Sequence, residues 1–278
     1  MAACSSTLPS APPISSVPNT PPAHPAPPSS PPPWVQASRH LALGLPRDAD
    51  PNDETLLDRG ELVVSYDTRR NAANWVAWQL TATDLGSAKR TSSFHADPAL
   101  PRGVYVVHDG DYVRSGFDRG HLCPSADRTS SPEANRATFS FVNVHPQRHE
   151  LNAGPWEKLE TYERELARRG HDLFVVAGGL FDPSPARIGK RARAEERVAV
   201  PRASYKIIVV LERGQGAADV SADTRSIAVI MPNQSDLPSP DYRAYLTSID
   251  AIEQESGYDF HTAIAEDVQA SFESKIDR

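Results

Sequence analysis

The sequence predicts an α+β domain: a mainly antiparallel central sheet with flanking helices. Three observations carry this. The apolar, β-branched runs at 173–177, 205–211 and 227–231 read as buried central strands. Residues 61–66 and 75–80 alternate apolar and polar positions, as the two arms of an early hairpin do. Strand-like segments far outnumber long helices in the first half, which argues against alternating βαβ units.

The remaining elements follow in order. Residues 103–108 read as a further strand, and 118–122 and 139–144 as two short ones. Residues 155–169 form a helix: Pro155 sits where a first turn tolerates it, Trp156, Leu159 and Leu166 share a face, and Gly170 stops it. Residues 242–255 form another, with Leu246, Ile249 and Ile252 inward and Gly257 as its end.

Composition divides the chain in two. Residues 1–33 hold 12 of the 26 prolines, and no charged residue precedes Arg39. Residues 1–38 therefore read as a Pro/Ser-rich tail or tether, and 39–278 as one domain without an internal linker or repeat. No apolar run approaches the ~20 residues of a membrane helix. The net charge is −7, but residues 249–278 contribute eight acids against two bases, so the acidity is mostly C-terminal. A local basic site is compatible with that balance; tight, charge-driven gripping of nucleic acid is not.

Two cysteines, Cys4 and Cys123, exclude a disulfide framework and a multi-cysteine zinc site. The start lacks a basic n-region and an apolar h-region, so it is not a signal peptide as written. Ala2-Ala3-Cys4 before a Ser/Pro-rich stretch resembles the end of a bacterial lipobox, in which the Cys becomes a lipid-anchored N-terminus. Export is the expectation.

Two stretches carry chemistry. In Asp118-Arg119-Gly120-His121, a Gly lets the backbone turn tightly and presents a His beside an Arg. Phosphodiester hydrolysis needs such a pair: a base for water and a cation for the phosphoryl oxygens. On its own the tetrapeptide also fits a structural or solvated His. The second stretch runs from Asn143 through His145, Gln147, Asn152 and Trp156 to Glu160. Asn152 stands at the helix edge, with Glu160 two turns on and Arg164 a further turn along the same face. An Asn carbonyl and a carboxylate over metal-bound water suit Mg²⁺; an N-cap Asn and a solvent-facing Glu–Arg pair are the alternative.

Taken together, Asp-Arg-Gly-His, Asn-x-x-x-Gln and Leu-Asn-x-Gly-x-Trp-x-x-Leu-Glu resemble the DNA/RNA non-specific endonuclease family. Phe94-His95-Ala96-Asp97-Pro98, Ile230-Met231-Pro232-Asn233 and Gly257-Tyr258-Asp259-Phe260 extend the resemblance over about residues 54–265. The resemblance implies a ββα-metal motif, with His121 as general base and Asn152 as ligand of one hydrated Mg²⁺ or Mn²⁺. It implies that Glu160 orients the metal's waters, and that Arg119 and Asn143 position His121 and the phosphate. Arg164 assists, and an upstream Arg stabilises the transition state. Arg90 is the candidate for that role, with Arg69 or Arg70 as substitutes. The implied substrates are DNA and RNA, cut to 5′-phosphate and 3′-hydroxyl ends. A catalytically impaired nucleic-acid binding module of the same fold is the alternative.

Further residues complete the reading. His145 and His149 read as surface imidazoles rather than zinc ligands, and Cys123 as packing rather than a nucleophile. Arg187, Lys190, Arg191, Arg193, Arg197 and Arg202 form a basic cluster that either tracks a phosphate backbone or lies on a solvated loop. With His121 as base, activity should fall below about pH 6.5.

Overall fold

The computed structural model describes residues 32–50 and 52–277. Cys4 and nearly all of the Pro/Ser-rich segment lie outside these residues. Eleven strands are present among the described residues: β1 Thr55–Asp58, β2 Val63–Asp67, β3 Ala72–Leu80, β4 Asp118–His121, β5 Val144–Gln147, β6 Asp172–Leu180, β7 Arg187–Ile188, β8 Val198–Ala199, β9 Ala203–Leu211, β10 Arg225–Pro232 and β11 Leu246–Thr247. The helices are α1 Trp34–Ala37, α2 Asp109–Tyr112, α3 Pro132–Ala137, α4 His149–Leu151, α5 Glu157–Arg168, α6 Ile249–Ser256 and α7 Glu266–Phe272. No helix among the described residues is long and apolar enough to cross a membrane.

Seven strands form one antiparallel sheet in the order β1-β2-β3-β6-β9-β10-β11. Its central strands are the three apolar runs of the sequence plus one arm of the predicted hairpin. Side chains alternate between the faces, so each cross-strand row belongs to one layer. The row Trp78, Val175, Ile208 and Ile227 faces α5. The neighbouring row Ala77, Val176, Ile207 and Ala228 faces α1, α6 and α7. On the α5 side the core is closed by Leu122, Cys123, Leu151, Trp156, Leu159 and Leu166. On the other side it is closed by Val35, Ile249, Ile252, Phe260 and Phe272.

Among the described residues Val35 of α1 is buried in the second core. Three expectations change. Residues 103–108 are not a strand: Gly103 takes a φ of +89°, no neighbouring strand pairs with them, and Val106 is exposed. The strand expected at 139–144 starts only at Val144, because residues 141–143 coil into a 3₁₀ turn held by the Asn143 side chain. The helix expected at 242–255 divides. A 3₁₀ turn and the short edge strand β11 come first, and Ser248 caps α6 by accepting from the Ala251 N–H at 3.1 Å.

Candidate active site

The short antiparallel pair β4–β5 stands apart from the main sheet, with His121 opposite Val144 and Gly120 opposite His145. Two buried side chains of β5 fasten it to the sheet. His145 Nε2 meets the Ala73 carbonyl of β3 at 2.9 Å, and Gln147 donates to the Ser204 hydroxyl of β9 at 3.1 Å. His145 is therefore not the expected surface imidazole. It is fully buried, and burial pushes its pKa down to about 4. Gly120 is required by close approach: a Cβ there would come within 2.0 Å of the Gln147 side chain.

Asn143 works on the backbone. Its amide donates to the Cys123 and Thr138 carbonyls at 2.8 Å each and accepts from the Cys123 N–H at 2.9 Å. Both amide hydrogens and the amide oxygen are engaged in shaping the chain just after His121. Cys123 is wholly buried, and burial raises its thiol well above the ordinary range, in keeping with a packing role.

His121 is enclosed by two aromatic rings. Phe139 stands edge-on at 4.8 Å between centroids and Phe94 lies tilted at 5.2 Å. Each ring carries an arginine: Arg90 lies over Phe139 at 5.0 Å and Arg119 over Phe94 at 4.6 Å. The two guanidiniums thus flank the imidazole without bonding to it. Burial pushes the His121 pKa down to about 3, and Arg90 and Arg119 add to the effect. This shift moves any acid limb set by His121 to lower pH than the ordinary imidazole value. His121 Nε2 is buried with no hydrogen-bond partner among the described residues. Trp156 secures the backbone here by donating to the His121 carbonyl at 3.2 Å.

Arg90 also donates to the Ser125 hydroxyl. Arg69 and Arg70, its possible substitutes, are committed elsewhere, to Asp50, Asp53 and Asp67. Arg119 is paired with Asp109.

After β5 the chain enters α4 and a widened turn, Asn152–Trp156, before α5. Gly154 breaks the helical path there, with φ −110° and ψ −116°. Asn152 itself has helical angles and ends α4, its backbone N–H donating to the His149 carbonyl, so its side chain is not the expected N-cap. Its Nδ2 donates to Asp118 Oδ2 at 3.1 Å, and the same oxygen meets His149 Nδ1 at 2.8 Å. With the nitrogen turned to Asp118, the Asn152 side-chain carbonyl oxygen has no hydrogen-bond partner among the described residues. His149 is exposed, as expected, and contact with Asp118 raises its pKa.

On α5, burial pushes the Glu160 carboxyl up to about 7 against the opposing charge of Lys206. Arg164 does not form the expected pair with Glu160. It bonds Asp127 Oδ1 at 3.2 Å, while Trp78 donates to Asp127 Oδ2 at 3.0 Å. One turn from Glu160, Glu163 pairs with Lys206 of β9 at 3.2 Å, both fully buried, and the ammonium lies 4.7 Å from the Trp156 ring. Asp118, Asp127, Glu163 and Lys206 were missed as supporting residues. The available signal was Lys206, a lone cation inside an apolar strand run. The basic cluster is largely spent locally: Arg187 and Arg197 donate to backbone carbonyls, Arg193 pairs with Glu196, and Arg202 with Glu255.

Arg90, Phe94, Asp109, Phe117, Arg119 and Asn152 line a cleft of about 350 Å³. The sequence calls of Arg90, Arg119 and Asn152 thus meet on one surface, with His121 directly behind Phe94. Asn143 and Arg164 are buried and do not line it.

The chain matches the family model "DNA/RNA non-specific endonuclease" over residues 44–267. It is 42% identical over 245 residues to a nuclease of Nostoc sp., covering 86% of each chain. It is 33% identical to bovine mitochondrial endonuclease G, covering 74% of this chain and 69% of that one. It is 35% identical to zebrafish mitochondrial nuclease EXOG, with 73% and 59% covered. The fold is similar to that in the crystal structure of an EndoG/EndoGI complex, with a TM-score of 0.68 and 24% identity over 86% of this chain and 96% of that one. This family is typically metal-dependent. The chain belongs to the DNA/RNA non-specific endonucleases and is a nuclease, a phosphodiester hydrolase.

Proposed function

We propose that this nuclease cuts both DNA and RNA, with His121 taking the proton of the attacking water. The observation that carries this is the setting of His121. Its imidazole is neutral at working pH, walled by Phe94 and Phe139, and flanked by two arginines at the back of a cleft. A base must be neutral to accept a proton, and the arginines favour charge developing on a phosphoryl group. With Nε2 enclosed, Nδ1 is the nitrogen that serves. Arg90 and Arg119 bind the phosphate, and Asn143 keeps the His121 backbone in place.

Asn152 and Asp118 at the cleft, with Glu160 close enough to act on the Arg90 charge, fit a divalent cation such as Mg²⁺ or Mn²⁺. Asn152 offers a hard carbonyl oxygen oriented through Asp118, and Glu160 offers a carboxyl whose ionised form a cation would favour. Bound there, the cation would supply charge neutralisation at the phosphoryl and leaving oxygens. Hydrolysis of this kind leaves a 5′-phosphate and a 3′-hydroxyl. None of the groups assigned a role selects a sugar by its 2′-hydroxyl.

The test is cleavage of single-stranded DNA, duplex DNA and RNA by wild type and His121→Ala, with and without a chelator. All three substrates should be cut by wild type, and cutting should stop with chelation and with the substitution. Full activity after chelation, or in folded His121→Ala, overturns the reading.

A further inference from the structure

The cleft has a second wall. Between α2 and β4 the chain makes a tight loop, with Arg114 at φ +60° and Gly116 at φ +81°. Arg148, from the end of β5, clasps it. Its guanidinium lies 4.2 Å from the Phe117 ring centroid and donates to the Gly116 carbonyl at 3.1 Å. The loop holds Val113 outward. Val113 is 52% exposed, one of three large hydrophobic side chains so exposed among the described residues. Val113, Phe117 and Tyr112 all line the cleft. Tyr112 is 7% exposed, and its hydroxyl is buried with no partner among the described residues.

Arg119, Arg90 and Asn152 present charge and hard polar atoms to the same space. One wall therefore suits a phosphate and the other a flat apolar group. A nucleotide unit has both, but only when its base is free of the stack, because a duplex hides the base faces. We infer that Val113, Phe117 and Tyr112 form a subsite for an unstacked nucleobase next to the scissile phosphate. Val113 and the Arg148-backed Phe117 cover its face, and the Tyr112 ring lines the space beside them. The subsite accepts any base, because every base has a π face. It makes single-stranded substrate the better one. The inference rests on the reading of this cleft as the catalytic site.

The probe is a single-stranded DNA oligonucleotide in which one nucleotide is replaced by an abasic tetrahydrofuran unit, with cleavage mapped bond by bond. Wild type should cut a bond beside the abasic unit about 5- to 100-fold more slowly than the same bond in the intact strand, the range that base stacking supplies. Val113→Ser and Phe117→Leu should each bring that ratio toward one. Val113 is exposed, and Leu keeps apolar volume beneath Arg148, so both variants should fold. A wild-type ratio near one overturns the subsite. So does a ratio that both variants retain in full, since the base is then sensed elsewhere. His121→Ala run alongside separates the two readings: an inactive variant with a failed ratio faults the subsite alone, whereas retained cutting faults the catalytic site and the subsite with it.

Discussion

The two faces of the central sheet are built differently. The face toward α1, α6 and α7 is mainly apolar, with Trp75, Phe174, Ile207, Val209, Ile249, Ile252 and Phe260, and its one buried ionisable pair among the described residues is His261 with Glu273 at 2.8 Å, beside Phe272. The face toward α5 buries charge. Lys206 and Glu163 pair there at 3.2 Å, and Arg164 and Trp78 converge on Asp127. A buried ion pair is a poor source of stability compared with well-packed hydrocarbon, but it is directional. These bonds fix α5, and Glu160 with it, against the strands. The contrast teaches a division of labour: one face holds the domain together, and the other gives up some of that for fixed geometry under the cleft.

The largest effect should come from unbalancing the charged face. Lys206→Met leaves the Glu163 carboxylate buried without its partner and should cost about 3–5 kcal/mol. Urea unfolding measures it. A loss under about 1 kcal/mol would show that the pair is not what fixes α5. On the apolar face, Ile252→Ala should cost about 2–5 kcal/mol by cavity formation. It should leave kcat of the folded fraction unchanged at low temperature. A matching drop in kcat would mean that the two faces are not independent.

A smaller effect concerns pH. Burial lowers His40, His121 and His145 to about 4, 3 and 4. Their folded values lie below the unfolded 6.5, so their contribution is complete above 6.5 and is lost as pH falls through the folded values. Burial raises Glu54, Glu160 and Glu253 to about 7. Their folded values lie above 4.5, so stability from these groups rises as pH falls from 7 to 4.5, opposing the histidines. The melting temperature should change little between pH 6.5 and 4.5 and drop steeply between 4.5 and 3. A steady decline beginning at 6.5 would contradict this.

The smallest effect is at Asp109, a carboxylate exposed in a cleft for a polyanion and paired with Arg119. Asp109→Asn should lower KM several-fold at low salt, and the gain should fade at high salt as screening takes over. A raised KM would make Asp109 a support for Arg119 instead.

Local signals made much of this legible in the sequence. The apolar runs became β6, β9 and β10, and of the residues singled out by motif Arg90, Arg119 and Asn152 line one cleft. What stayed hidden depends on distant partners. Nothing near Arg164 in sequence indicates Asp127, which is set by how the loop after β4 packs on the sheet. Residues 103–108 look like a strand because Val104, Val106 and Val107 are β-branched, yet no sheet edge reaches them. His145 reads as exposed because it falls in an apparent loop just before the helix that carries Asn152, whereas its acceptor, the Ala73 carbonyl, is 72 positions away.

The central claim is that His121 and Asn152 hold separate roles in one site. Initial cleavage rate against Mg²⁺ concentration, for folded His121→Ala and Asn152→Ala, tests it most directly, with Mn²⁺ binding followed by electron paramagnetic resonance. His121→Ala should bind Mn²⁺ as wild type does and remain about 10²–10⁴-fold slower at every Mg²⁺ concentration. Asn152→Ala should bind Mn²⁺ weakly and recover part of its rate as Mg²⁺ rises. Rescue of His121→Ala by metal with none for Asn152→Ala would reverse the roles, and full activity in both would place the site elsewhere.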